Sequence, residues 1–193
     1  MKKPTPSRVP QQLSFDIDAL LRKPSRMMNV DEIFVNLKDL PLIELNEDRR
    51  IERKVVGVSA RSLSDYFSIF ANTPPDGGII LIGVENSGAV SGCNSADQSH
   101  LNDLERSGDS FCPDARYECQ TVRLLNKHGE PDTVLAMRIH YRHDKVVETT
   151  QGEAFIRRGE SRRKLSDDEK RELKSSKGQI DLELVIRNAS SPH

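Results

Sequence analysis

Glu47, Glu52 and Lys54 form the pattern E-x4-E-x-K. Residues two apart on an extended strand share a face and lie roughly 6–7 Å apart, so Glu52 and Lys54 point to one side. A carboxylate beside an ammonium suits metal-assisted phosphodiester hydrolysis. The carboxylate holds Mg2+ or Mn2+, the ion lowers the pKa of a bound water, and the ammonium offsets charge developing at phosphorus. Glu47 reaches the same ion only if the chain turns through Asp48-Arg49-Arg50. Glu85 and Asn86, at the end of an apolar run, are further oxygen ligands that could complete the set. The same residues have ordinary readings as well. E-x-K is common on a solvated strand when 31% of the chain is charged, and Asn86-Ser87-Gly88 is a good tight turn.

A second chemistry is carried by Arg157, Arg158, Arg162, Arg163 and Lys164, five cations within eight residues. Guanidinium forks suit phosphate oxygens, and counterion release makes even a modest basic patch useful on a nucleic acid. From Arg157 to Lys177 there are nine basic and five acidic residues, whereas Glu85 to Glu118 is acidic. The whole chain of 193 residues balances to a charge of −1, with a pI near 6.5. That excludes a domain coated in positive charge, which would sit above about pH 9, and confines any phosphate contact to one face. A surface loop and helix bearing internal ion pairs is the competing reading of the same cluster.

Other site chemistries have little support. His140-x-x-His143 needs further ligands such as Asp144 or Glu148 to hold a metal. The glycines include no phosphate-binding G-x-x-x-x-G-K-[ST] and no G-x-G-x-x-G between a strand and a helix. Cys93, Cys112 and Cys119 are odd in number and widely spaced, which speaks for a reducing cytoplasm rather than a disulfide framework. The mean hydropathy is −0.60 and no apolar run approaches 18 residues, so no membrane partner is expected.

The elements that must position these residues are legible in outline. The prolines and basic residues of positions 1–28 predict a flexible arm. Asn29 with Glu32 predicts a capped helix with the stripe Ile33, Leu37 and Leu40, stopped by Pro41. Ile51 to Val58 reads as a strand, and Ser62-x-x-Asp65 opens a helix bearing Leu63, Tyr66, Phe67 and Phe70. Ile79 to Val84 reads as a strand buried on both faces, turning at Asn86-Ser87-Gly88 into a returning strand, Ala89 to Cys93. A helix over Asp97 to Arg106 follows, then strands at Tyr117 to Leu125, Thr133 to Tyr141 and Ala154 to Arg158, with Gly159 to Lys164 as a loop. Ser166-x-x-Glu169 caps a last helix that Gly178 breaks, and Ile180 to Ile186 reads as a strand or a dimer-forming tail. The expected class is α+β, with a mixed, mostly antiparallel sheet and helices packed on it. One lobe spans 29–177, followed by a tail or strand at 178–193.

Taken in order, Glu47-x4-Glu52-x-Lys54, Phe70-Ala71-Asn72-Thr73, Gly77-Gly78, Ile82-Gly83-Val84-Glu85-Asn86, Gly92 and Phe155-Ile156-Arg157-Arg158-Gly159-Glu160-Ser161 resemble the Schlafen-type AlbA-like domain. The resemblance runs from about Leu40 to Lys174. It implies a small α+β lobe associated with RNA or DNA, which in Schlafen proteins is doubled to form a basic groove. A single lobe would then need a homodimer or a partner lobe. Some Schlafen members are metal-dependent endoribonucleases acting on structured RNA such as tRNA, and their three-carboxylate site corresponds to Glu47, Glu52 and Asn86, with Lys54 as electrostatic stabiliser. Asn86 stands where the third acid would be, and a neutral amide weakens the hold on a divalent ion unless Glu85 substitutes. Two expectations result. The first is a nucleic-acid-binding module centred on Arg157 to Lys164, and the second is a Mg2+- or Mn2+-dependent endoribonuclease.

Overall fold

The computed structural model describes residues 24–42, 45, 48–159 and 161–178. Its centre is β2 (Gly78–Ile82), in which every residue is buried. This strand pairs in parallel with β1 (Ile51–Lys54) and antiparallel with β4 (Pro131–His140), and β4 pairs antiparallel with β3 (Arg116–Leu125), giving the sheet order β1-β2-β4-β3. The architecture is the expected α+β class with a mixed, mostly antiparallel sheet.

Strand alternation divides the core into two layers. Ile80, Ile82, Leu135, Met137 and Ile139 face one way, against Phe67 and Phe70 of α2 (Ser64–Asn72). Ile51, Ile79, Leu81, Val122, Val134 and Ala136 face the other, against Ile33, Phe34 and Leu37 at α1 (Val30–Asn36) and the 3-10 turn after it. The side chains of Asn29 and Glu32 close a reciprocal capping box at the start of α1. Arg138, buried within β4, donates from Nε to Asp31 in the first turn of α1 at 2.8 Å. The Gly77-Gly78 pair admits backbone close to backbone. Gly77 has φ +78°, and a Cβ there would lie 2.2 Å from the Ile139 carbonyl oxygen.

Several elements differ from their sequence expectation. β1 stops at Lys54 rather than Val58, because the chain turns there and the Val58 N–H donates to the Val55 carbonyl. Ser59 rather than Ser62 caps the segment leading into α2: its hydroxyl accepts from the Ser62 N–H at the head of a 3-10 turn. The expected return strand, Ala89 to Cys93, is reduced to a single bridge between Val84 and Val90. The expected third helix is α3 (Gln98–Glu105), capped by Asp97, and a short α4 (Ser107–Phe111) follows it without having been foreseen. The supposed loop through Lys164 contains β6 (Ser161–Lys164), paired antiparallel with β5 (Phe155–Arg158). Its run of polar residues carries no apolar alternation, so it gives no strand signal. The last helix is α5 (Asp167–Ser176), with its capping box at Ser166 and Glu169. The expected strand or tail at Ile180 to Ile186 lies outside the described residues, as does the arm up to residue 23. Among the described residues no helix is long and apolar enough to cross a membrane.

Candidate functional site

The β5–β6 hairpin is held on α2 by a buried polar clamp. Ser68 and Asn72 are four residues apart and therefore share a helix face, and both are buried. The Asn72 amide donates to the carbonyls of Val147 (2.8 Å) and Phe155 (3.3 Å) and accepts from the Val147 N–H (2.9 Å). The Ser68 hydroxyl donates to the Val147 carbonyl and accepts from the Phe155 N–H. One residue on, the Thr73 hydroxyl accepts the Arg157 N–H at 3.0 Å. The Asn-Thr that ends α2 thus positions the strand carrying the first two arginines. The sequence singles out Asn72-Thr73 only as part of the family resemblance and not as a clamp, because an asparagine at a helix end is ordinarily a cap or a turn former.

The clamp brings Arg157 onto Glu52. Glu52 is 6% exposed. One of its carboxylate oxygens receives Lys54 Nζ at 2.5 Å and the other an Arg157 Nη at 3.2 Å. Glu52 and Lys54 share a face, as their spacing requires. The Lys54 ammonium also lies 4.6 Å from the centre of the Tyr66 ring. Burial works to lower the Lys54 pKa, but its bonds to Glu52 and Tyr66 prevail and hold it above the ordinary lysine value. Arg157 stacks toward Phe70, with 5.8 Å from its guanidinium carbon to the ring centre, and its Nη1 is buried without a hydrogen-bond partner among the described residues.

The rest of the basic cluster lies on the hairpin, and most of it is paired with acids from other elements. Arg162 meets Asp65 of α2 at 3.0 Å, Arg163 meets Glu169 of α5 at 2.5 Å, and Lys164 meets Glu153 at 2.5 Å. Arg158 is exposed and makes no ion pair with any described residue. Along α5, Lys170 pairs with Asp167, Arg171 with Asp168 and Lys174 with Glu148. Lys177 turns inward, with its ammonium 2.6 Å from the Arg142 carbonyl and 3.0 Å from that of Lys145. Burial pulls its pKa down to about 8.

The carboxylates expected to hold a divalent ion do not assemble among the described residues. Glu47 lies outside them. Both oxygens of Glu52 already carry cations. Glu85 pairs with Lys127 at 2.6 Å, which holds its carboxyl below the ordinary range. Asn86 is exposed in its turn, and its carbonyl accepts from Arg53 at 3.0 Å. Arg53 lies on the face of β1 opposite Glu52, where it also binds the carbonyls of Leu42 and Leu45. The turn bearing Glu85 and Asn86 is therefore anchored from the other side of the strand. Among the described residues no three of His, Cys, Asp and Glu stand where they could share an ion. His140 pairs with Glu118, Asp144 with Arg142 and Glu148 with Lys174.

The chain has a structural likeness to the DIP2311 protein from Corynebacterium diphtheriae, with a TM-score of 0.51 and 17% sequence identity over 78% of this chain. The match spans 29% of that protein's chain, so the likeness concerns the fold of one part of it. Comparison with curated proteins yields no match. The family described as Schlafen, AlbA_2 matches residues 47–166, from the Glu47 pattern through the hairpin to the cap of α5. That span is most of the chain, and it relates the domain to nucleic-acid-handling proteins: this chain belongs to the Schlafen AlbA_2 family.

Proposed function

We propose that the chain is a nucleic-acid-binding module in which the β5–β6 hairpin and the basic side chains of α5 contact the phosphate backbone. The observation that carries this reading is the cross-strand register, which sets Arg157 directly opposite Arg162. Like charges directly opposite each other destabilise a ribbon, and here they are accommodated by acids reaching in from β1 and α2. The outer pairs are readily exchanged. Arg162 and Lys164 have more than half of their side-chain surface exposed, and such surface ion pairs contribute about 0–1 kcal/mol each. A phosphate can take the place of Asp65 or Glu153 at little cost, while Arg158 needs no exchange with any described residue. Per-subunit affinity is accordingly modest and salt-dependent, and a second copy or a partner lobe would extend the basic surface into a groove.

Glu52 and Lys54 on one face favour a second reading, the metal-dependent endoribonuclease. The two cations on Glu52 weigh against it, since an ion would have to displace both.

One set of measurements separates the readings. Fluorescence anisotropy is followed with tRNA, single-stranded DNA and duplex DNA between about 50 and 200 mM salt, for the native chain and for Arg158→Glu and Arg162→Glu. Parallel incubations with Mg2+, Mn2+ or EDTA are examined for cleavage. The binding module predicts salt-sensitive association, weakened by each charge reversal and indifferent to EDTA. Each lost phosphate contact should flatten the log K against log salt slope by about 0.7–0.9. Metal-dependent cutting would overturn the binding-only reading, and the absence of association at low salt would overturn both.

A further inference from the structure

The two faces of the sheet carry complete apolar layers, but a third cluster is unfinished. Val146, Ala154 and Leu165 are buried, while Ile156 and Leu173 beside them are only partly covered. Between the hairpin and α5 lies an open groove of about 370 Å3, walled by Ile156, Leu165 and Leu173 with Arg163, Glu172 and Ser176. None of the residues of α5 is buried. The helix is tied down by polar links, such as Lys174 to Glu148 and Lys170 to the Gly152 carbonyl. Helices in proteins owe most of their stability to a packed apolar face, and on the groove side of α5 the apolar contact is that of Leu173, which is only partly covered.

The chain itself carries a segment of matching chemistry. Ser176 lines the groove, the helix ends at Gly178 with φ +70°, and residues 179–193 follow. Ile180, Leu182, Leu184 and Ile186 recur with period two, interleaved with Asp181, Glu183 and Val185. In extended form such a sequence presents aliphatic side chains on one side and carboxylates on the other. Extended, the seven residues span about 23 Å, and residues 177–179 are so short a tether from the end of α5 that the local concentration is of millimolar order. Arg163, whose Nη1 pairs with Glu169, keeps its buried Nε without a hydrogen-bond partner among the described residues.

We propose that residues 180–186 dock in cis in the groove between the β5–β6 hairpin and α5, with their aliphatic side chains against Ile156, Leu165 and Leu173 and their carboxylates turned to solvent. The test uses the full chain. In Leu182→Asp/Leu184→Asp, backbone amides of residues 161–165 and 169–176 should exchange with deuterium about ten-fold faster than in the native chain, with exchange in β2 and β4 unchanged. Unaltered exchange would overturn the proposal. In a Cys119→Ser background, Leu173→Cys combined with Leu184→Cys should oxidise to a monomer with an intramolecular link. Disulfide-linked dimers would give the groove to a second copy and overturn docking in cis, as would failure of any link to form.

Discussion

Glu52→Ala tests whether the acid at the centre of the site holds the fold or is free to do chemistry. Glu52 is 6% exposed and bridges Lys54 to Arg157, and the Arg157 side chain is itself only 9% exposed. Removing one partner of a buried ion pair costs about 3–5 kcal/mol because a charge is left uncompensated. Lys54 retains 24% exposure and can turn to water, so the low end, about 3 kcal/mol, applies. That is roughly a hundred-fold in the unfolding equilibrium. With an m-value of about 2 kcal/mol/M, the midpoint of a urea transition falls by about 1.5 M at constant slope. Arg157→Ala and the double variant complete a cycle whose coupling should be about 1–3 kcal/mol. Equilibrium urea unfolding of the four proteins, followed by circular dichroism, measures it. A Glu52→Ala midpoint within about 0.2 M of the native one, or a coupling near zero, would refute the argument and leave the carboxylate available as a ligand. The result also governs cleavage assays. Loss of activity in Glu52→Ala speaks to catalysis only at temperatures where that variant remains folded.

Two further outcomes follow from the same geometry. Asn72→Ala leaves the buried Val147 N–H without its acceptor and the Phe155 carbonyl without its donor. The unmet groups cost about 1–3 kcal/mol each, so a loss of about 3 kcal/mol in urea unfolding is expected, with amide exchange in the hairpin accelerating before that of β2. Equal acceleration throughout would show that the clamp does not act locally. Asp132 supplies the pH prediction. Burial works to raise its pKa, but N–H donors from Asn94, Thr133 and Cys93, together with the Asn126 amide, hold it below the ordinary aspartate value. A depressed folded-state value means that the unfolded chain binds the proton more readily. The stability is therefore present above the ordinary value of 3.8 and is lost as pH falls through the folded-state value. Asp132→Asn should flatten this acid limb of the unfolding free energy, and an unchanged acid limb would show that Asp132 does not contribute.

Much of the fold was legible because its signals are local. The capping boxes at Asn29/Glu32 and Ser166/Glu169 are spacings of three, closed within one turn. The isoleucine run of β2 announces burial on both faces. The failures are also physical. β6 is polar throughout and is defined only by its register with β5. The extension of β1 to Val58 rests on β-branched composition and the strand after Gly88 on the tight turn at Asn86-Ser87-Gly88, and neither reveals how far the backbone stays paired.

The candidate site divides along the same line. That Glu52 and Lys54 share a face, and that five cations crowd eight residues, follows from the period of a strand and from counting, and both are fixed by sequence alone. Which charge meets which is another matter. Arg157 lies 105 residues from Glu52, Arg162 lies 97 from Asp65, and Asn72 lies 75 from Val147. Side-chain direction repeats every two or 3.6 residues and can be read from neighbours. An ion pair across a hundred residues exists only once helix, sheet and hairpin have packed, and that packing set Arg157 on the buried Glu52 and paired Arg162, Arg163 and Lys164 with Asp65, Glu169 and Glu153.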